Sequence, residues 1–174
     1  MIIDYLFMDQ DICRLCLEER ADSFICLSCL DRLEFIDGKH EIEGEMVYYP
    51  LFYNNFLKEV IRGFKFQDRT YLAKPLGLIL YEFYKVNEDV LRADFISFIP
   101  MNRKDIFKRG YNQAKLLAEE LSNYTGIGLI EIVDKVRSTK EQNKLGIKDR
   151  RKNLLGSYRV RKGLDLEGKN PFIS

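Results

Sequence analysis

The 174-residue sequence has a single histidine, His40. All four of its cysteines fall within one short window. With one imidazole and no dispersed thiol, no Ser-His-Asp or Cys-His constellation can be assembled, which excludes triad-type nucleophilic chemistry. Long apolar runs are also missing, and none approaches the roughly 20 residues that cross a bilayer. The opening stretch, MIIDYLFMDQDIC, carries Asp4, Asp9 and Asp11 and has no basic region, so it does not read as a secretory signal. No internal repeat and no low-complexity tract is present. These absences predict a cytoplasmic chain with no membrane insertion.

What is present suffices for a core. Hydrophobic residues make up 46% of the chain, and its length suits one α/β domain with a small appendage. The formal net charge of +1 hides an uneven distribution. Residues 1–50 hold twelve acidic and four basic side chains, whereas residues 135–162 hold eleven basic and two acidic ones. That asymmetry points to an anionic partner for the second half, although a solvated basic face is the plainer reading of surface charge alone.

The cysteines form two CxxC pairs, Cys13 with Cys16 and Cys26 with Cys29, separated by nine residues. In a reducing compartment such pairs serve as ligands rather than disulfides. Each pair can present two thiolates to one tetrahedral ion, and no cysteine is left over, which points to zinc. An iron–sulfur cluster is the weaker alternative, because its cysteine runs usually show other spacings. Four protein ligands leave no open position, so the ion's role would be structural. The window is acidic (Glu18, Glu19, Asp22, Asp31), which argues against phosphate contact there. His40 follows Gly38-Lys39 and reads as an exposed residue of a polar turn.

Residues 46–53, MVYYPLFY, read as a strand that Pro50 confines to an edge or a break. Asn54 or Asn55 can cap a helix that buries Phe56, Leu57, Val60, Ile61 and Phe64. Its other side carries Lys58, Arg62 and Lys65, read as a solvated face before a nucleic-acid stripe. A second helix is expected over 71–84. Residues 94–99 then suit a buried strand closed by Pro100. A basic loop follows with Arg103, Lys104, Lys108, Arg109 and Gly110. Ala114, Leu117, Ala118, Leu121 and Tyr124 mark one face of the next helix, which Gly126 ends. A basic loop between a strand's carboxyl end and a helix is where open α/β sheets bind anions. A further strand is expected over 128–133. Beyond it lies a long basic connection whose Arg137, Thr139, Gln142, Arg150, Arg151 and Asn153 are donors suited to phosphate or sugar.

Pro100 to Gln113, PMNRKDIFKRGYNQ, resembles the P-x-x-x-x-R-x-x-x-R-G-[FY]-N-Q signature of the ComF family of competence proteins, the phosphoribosyltransferase-like ComFC group. The cysteine window is similar to that family's zinc module. Lys65-Phe66-Gln67-Asp68 matches its lysine–aromatic element, and Arg137, Thr139, Gln142, Arg151, Asn153 and Gly156 match a second, looser signature. The resemblance covers nearly the whole chain. It implies an α/β fold with a type I phosphoribosyltransferase-like parallel sheet over 46–174, behind a zinc-binding module over 1–45. It also implies a part in DNA uptake during natural transformation, with single-stranded DNA and a competence helicase as partners.

On this resemblance, diphosphate or nucleic acid would be held by Arg103, Lys104, Lys108, Arg109, Gly110, Asn112, Gln113, Arg137, Gln142 and Arg151. The connection from Arg137 to Arg151 would be a mobile flap over the site. Family members continue into an Asp-Asp-x-x-T-T-G loop that binds the ribose phosphate of phosphoribosyl pyrophosphate. Here Gly168-Lys169-Asn170 is followed by Pro171-Phe172-Ile173-Ser174 and no such loop, so the sheet is expected to be incomplete and the reading frame broken after Asn170. Three readings stay open: a binding component of DNA uptake, a glycosyltransferase using magnesium and phosphoribosyl pyrophosphate, and a truncated product without its own function. The missing loop favours the first.

Overall fold

A computed structural model describes residues 11–139 and 145–173. The chain divides into two compact units, Met1–Glu88 and Asp89–Ser174.

The first unit begins with the cysteine window, where an antiparallel bridge joins Ile12 to Arg20. Cys26 then opens a short helix, α1 (Leu27–Arg32). Strands β1 (Phe35–Ile42) and β2 (Glu45–Leu51) form an antiparallel hairpin. Its two-residue connection, Glu43-Gly44, has φ of 54° and 89°, the left-handed pair that a tight hairpin turn requires. The register slips between Phe35 and Gly38, and Pro50 falls at this irregularity, where its missing N–H leaves no ladder bond unmade. His40 is therefore not in a turn as expected. It lies exposed in β1, opposite Val47, because pairing with the aromatic β2 overrides the weak strand preference of FIDGKHEI.

Asn54 joins the hairpin's exit to the next helix, α2 (Asn55–Phe66). Its Oδ1 accepts from the Leu57 N–H at 2.9 Å, and its Nδ2 donates to the Arg32 carbonyl at 3.0 Å and to Glu34 Oε1 at 2.9 Å. Leu57, Val60 and Phe64 face inward, while Lys58, Arg62 and Lys65 are exposed. A 3-10 turn (Thr70–Leu72) leads into α3 (Ala73–Val86), which carries Pro75 in its first turn, where no N–H bond is lost. Leu72, Leu76, Ile79 and Tyr84 are buried with them.

The second unit opens within the helical turn α4 (Glu88–Leu91) and is built around β3 (Phe95–Ser97), every residue of which is buried. β3 is shorter than the run 94–99 suggests. On one side it pairs in parallel with β6 (Pro171–Ile173), in the register Phe95↔Pro171, Ile96↔Phe172, Ser97↔Ile173. On the other side Ile96 donates to Gly128 and accepts from Ile130, both at 2.9 Å. Of the strand expected over 128–133, this region forms that single parallel bridge at Leu129, and a separate strand begins only at Val133.

The basic stretch after β3 is not a loop. It is a helix, α5 (Arg103–Arg109), because Asn102 caps its start and Gly110, at φ 83°, ends it in the left-handed region. α6 (Gln113–Thr125) packs on β3 and buries Ala118 and Leu121. Within the long basic connection, β4 (Val133–Lys135) pairs antiparallel with β5 (Tyr158–Val160), and α7 (Ile147–Leu154) lies between them in sequence. The fold is thus mixed α/β with a parallel strand pair at the centre of the second unit. Among the described residues, no helix is long and apolar enough to cross a membrane.

Candidate functional sites: a four-cysteine cluster and a cationic helix

The first CxxC closes as a tight turn. The Cys13 carbonyl accepts from the Leu17 N–H at 2.9 Å, with Leu17 at φ 62°, and the Leu15 N–H points at Cys13 Sγ from 3.4 Å. The second pair sits on helix geometry, since Cys26 is the N-cap of α1 and Cys29 lies within it. Both pairs come together, and their four Sγ atoms all lie within 4.8 Å of one another. Cys13, Cys26 and Cys29 are buried and Cys16 half-buried.

Cys16 Sγ and Cys26 Sγ stand 3.8 Å apart, far beyond the ~2.05 Å of a disulfide. Four sulfurs held at ~2.3 Å from one ion would be separated by about 3.8 Å, so the donor set fits a tetrahedral thiolate site. Burial raises the Cys13 thiol, but the N–H groups of Cys16, Cys26 and Leu15 outweigh it and bring the pKa to about 7. Burial pushes Cys26 up to about 11 and also raises Cys29, with the neighbouring thiols adding to the rise at Cys29. Four sulfurs this close can be shared by one soft divalent ion, which would take them as thiolates.

The cationic site is centred on α5. Arg103, Lys104 and Lys108 are exposed and Arg109 is half-buried. The one acid of the helix, Asp105, is turned back onto its cap. Its N–H donates to Asn102 Oδ1 at 2.9 Å, and its carboxylate accepts from Asn102 Nδ2. Asn112 and Gln113 are buried. Asn112 caps α6, with Oδ1 accepting from the Ala114 N–H at 3.1 Å and Nδ2 donating to the Ile99 carbonyl at 3.1 Å. It therefore joins the end of the β3 segment to the start of α6.

Lys135 of β4 comes near the same helix. Burial lowers its pKa and the Asp105 carboxylate opposes that shift, while its Nζ lies 5.5 Å from the Tyr158 ring centre. Arg137 is exposed, but its Nη2 donates to the Asn153 and Leu155 carbonyls at 2.9 and 3.0 Å, at the end of α7. Arg151 is exposed on α7. Gln142 lies outside the described residues, as does part of the expected flap. One residue of this surface was missed from sequence, Phe107, which is 94% exposed between the basic residues of α5. The signal was an Ile-Phe pair inside a charged stretch.

No protein-family model matches the chain. Among curated proteins it is similar to Competence protein F of Haemophilus influenzae, with 27% identity over an alignment that covers 79% of this chain and 70% of that protein.

Proposed function

From the ComF resemblance, which the similarity to Competence protein F bears out, we propose that this chain serves DNA uptake in natural competence and binds single-stranded DNA through the cationic surface of its second unit. That similarity is the observation that carries the competence role. The strand-binding part is supported by the exposure of Arg103, Lys104 and Lys108 on one short helix, with Asp105 engaged in the cap. In the first unit, the four cysteines hold one structural zinc ion, which anchors a segment too short to build its own core. A competence helicase is the protein partner this role calls for. The parallel strand pair with α6 against it supports, at the level of architecture, a phosphoribosyltransferase-like fold.

Binding of this kind is driven by counterion release. Lysine and arginine side chains displace the cations condensed on phosphates, so affinity falls as a power of the salt concentration. Three contacts on a single strand give a slope of about −2, and a fourfold rise in salt should weaken binding about 20-fold. Fluorescence anisotropy with a labelled oligonucleotide checks this. Undetectable binding at low ionic strength, or binding indifferent to salt, removes the strand-binding role. The transferase reading keeps one favourable observation, that the cationic residues follow the carboxyl end of β3, where open α/β sheets take phosphate ligands. Tight, magnesium-dependent calorimetric binding of phosphoribosyl pyrophosphate would mark that reading instead.

A further inference from the structure

Phe107 is 94% exposed, the most exposed large hydrophobic residue among those described. It lies near the end of α5, a helix none of whose residues is buried. Arg103 is four positions before it and Lys104 three, the two spacings that bring side chains together on a helix surface, and Lys108 follows it directly. All three are exposed. An aromatic ring inside a ring of cations is poorly suited to an apolar protein groove, which would have to desolvate those charges. It is well suited to a ligand that offers a flat apolar face beside phosphate.

We propose that Phe107 is a base-stacking platform, on which one unpaired nucleobase of a single strand lies while Arg103, Lys104 and Lys108 hold the flanking phosphates. This rests on the strand-binding reading above and adds the half of the contact that charge does not supply. Every base has a π-face, so the contact is indifferent to sequence. It requires that the face be free, so duplex DNA cannot use it except at its ends.

The chain has no tryptophan, which makes Phe107→Trp a single-fluorophore reporter at an exposed position. Two ligands of equal length separate the terms: oligothymidylate, and an abasic deoxyribose-phosphate oligomer that has the charges without the bases. With stacking, oligothymidylate quenches the indole of Phe107→Trp and the abasic oligomer does not. In the same case Phe107→Ala weakens oligothymidylate binding about tenfold and leaves abasic binding and its salt slope unchanged. If the wild-type protein binds both oligomers equally and Phe107→Ala changes neither, stacking is overturned while strand binding stands. If neither oligomer binds the wild-type protein at low salt, strand binding fails and stacking falls with it.

Discussion

At the scale of single residues, the cysteines and one serine make opposite predictions. Removing one thiolate from the cluster leaves three, too few to close a tetrahedral structural site. Cys26→Ser should therefore release the metal. Elemental analysis of protein purified without added metal should find about one zinc per chain in the wild type and much less in the variant. Iron, or no metal in either, would overturn the assignment. Metal binding must also displace protons from the cysteine thiols, so affinity should fall as pH falls. Ser97 behaves differently. It is fully buried in β3, and its hydroxyl has no hydrogen-bond partner among the described residues. An unpaired buried hydroxyl costs about 1–3 kcal/mol, so Ser97→Ala should leave stability unchanged or raise it by about 1 kcal/mol in urea denaturation. A loss larger than that would reveal a bonded hydroxyl.

At the scale of elements, Arg137 tests whether a residue suited to phosphate is instead holding a helix. Its guanidinium meets the carbonyls that α7 leaves unbonded at its C-terminal end, where a cation is favoured. Arg137→Ala should speed hydrogen exchange of the α7 amides and cost about 1 kcal/mol locally, with a smaller effect on oligonucleotide affinity than Arg103→Ala. An unchanged exchange rate would return Arg137 to the binding surface. The contrast shows what local sequence can carry. α2 and α6 were legible because each has an Asn cap and an apolar stripe at helical spacing, and the cysteine cluster was legible because CxxC spacing encodes its own geometry. β1 was not, since its Asp, Gly, Lys and Glu carry no strand preference and only pairing with β2 makes it a strand. α5 read as a loop because a helix with no buried residue has no apolar stripe to mark it, and only the Asn102–Asp105 capping contact sets its start. Phe107 was hidden for the same reason: exposure is a property of the fold, not of the residue.

At the scale of the whole chain, three tyrosines set an alkaline limit. Burial raises the phenols of Tyr71, Tyr124 and Tyr158 above the ordinary value of 10.0. The unfolded chain then loses its phenolic protons first, so between the ordinary and the raised values the folded state binds more protons. Stability contributed by this difference is intact below pH 10 and is lost as pH climbs through the raised range. The last part of the tyrosinate absorbance, the share of these three, should therefore rise in step with loss of helical circular dichroism. Ionisation of all ten tyrosines well before unfolding would contradict it. The parallel pairing of β3 with β6 has another consequence, in time rather than energy. The hydrogen bond from the Asn170 N–H to Asp94 spans 76 positions of chain. At about 5–20 residues per second, a ribosome takes roughly 4–15 s to make that stretch. A nascent chain halted before Pro171 would present β3 with that edge open, a binding signal for chaperones that disappears once β6 emerges.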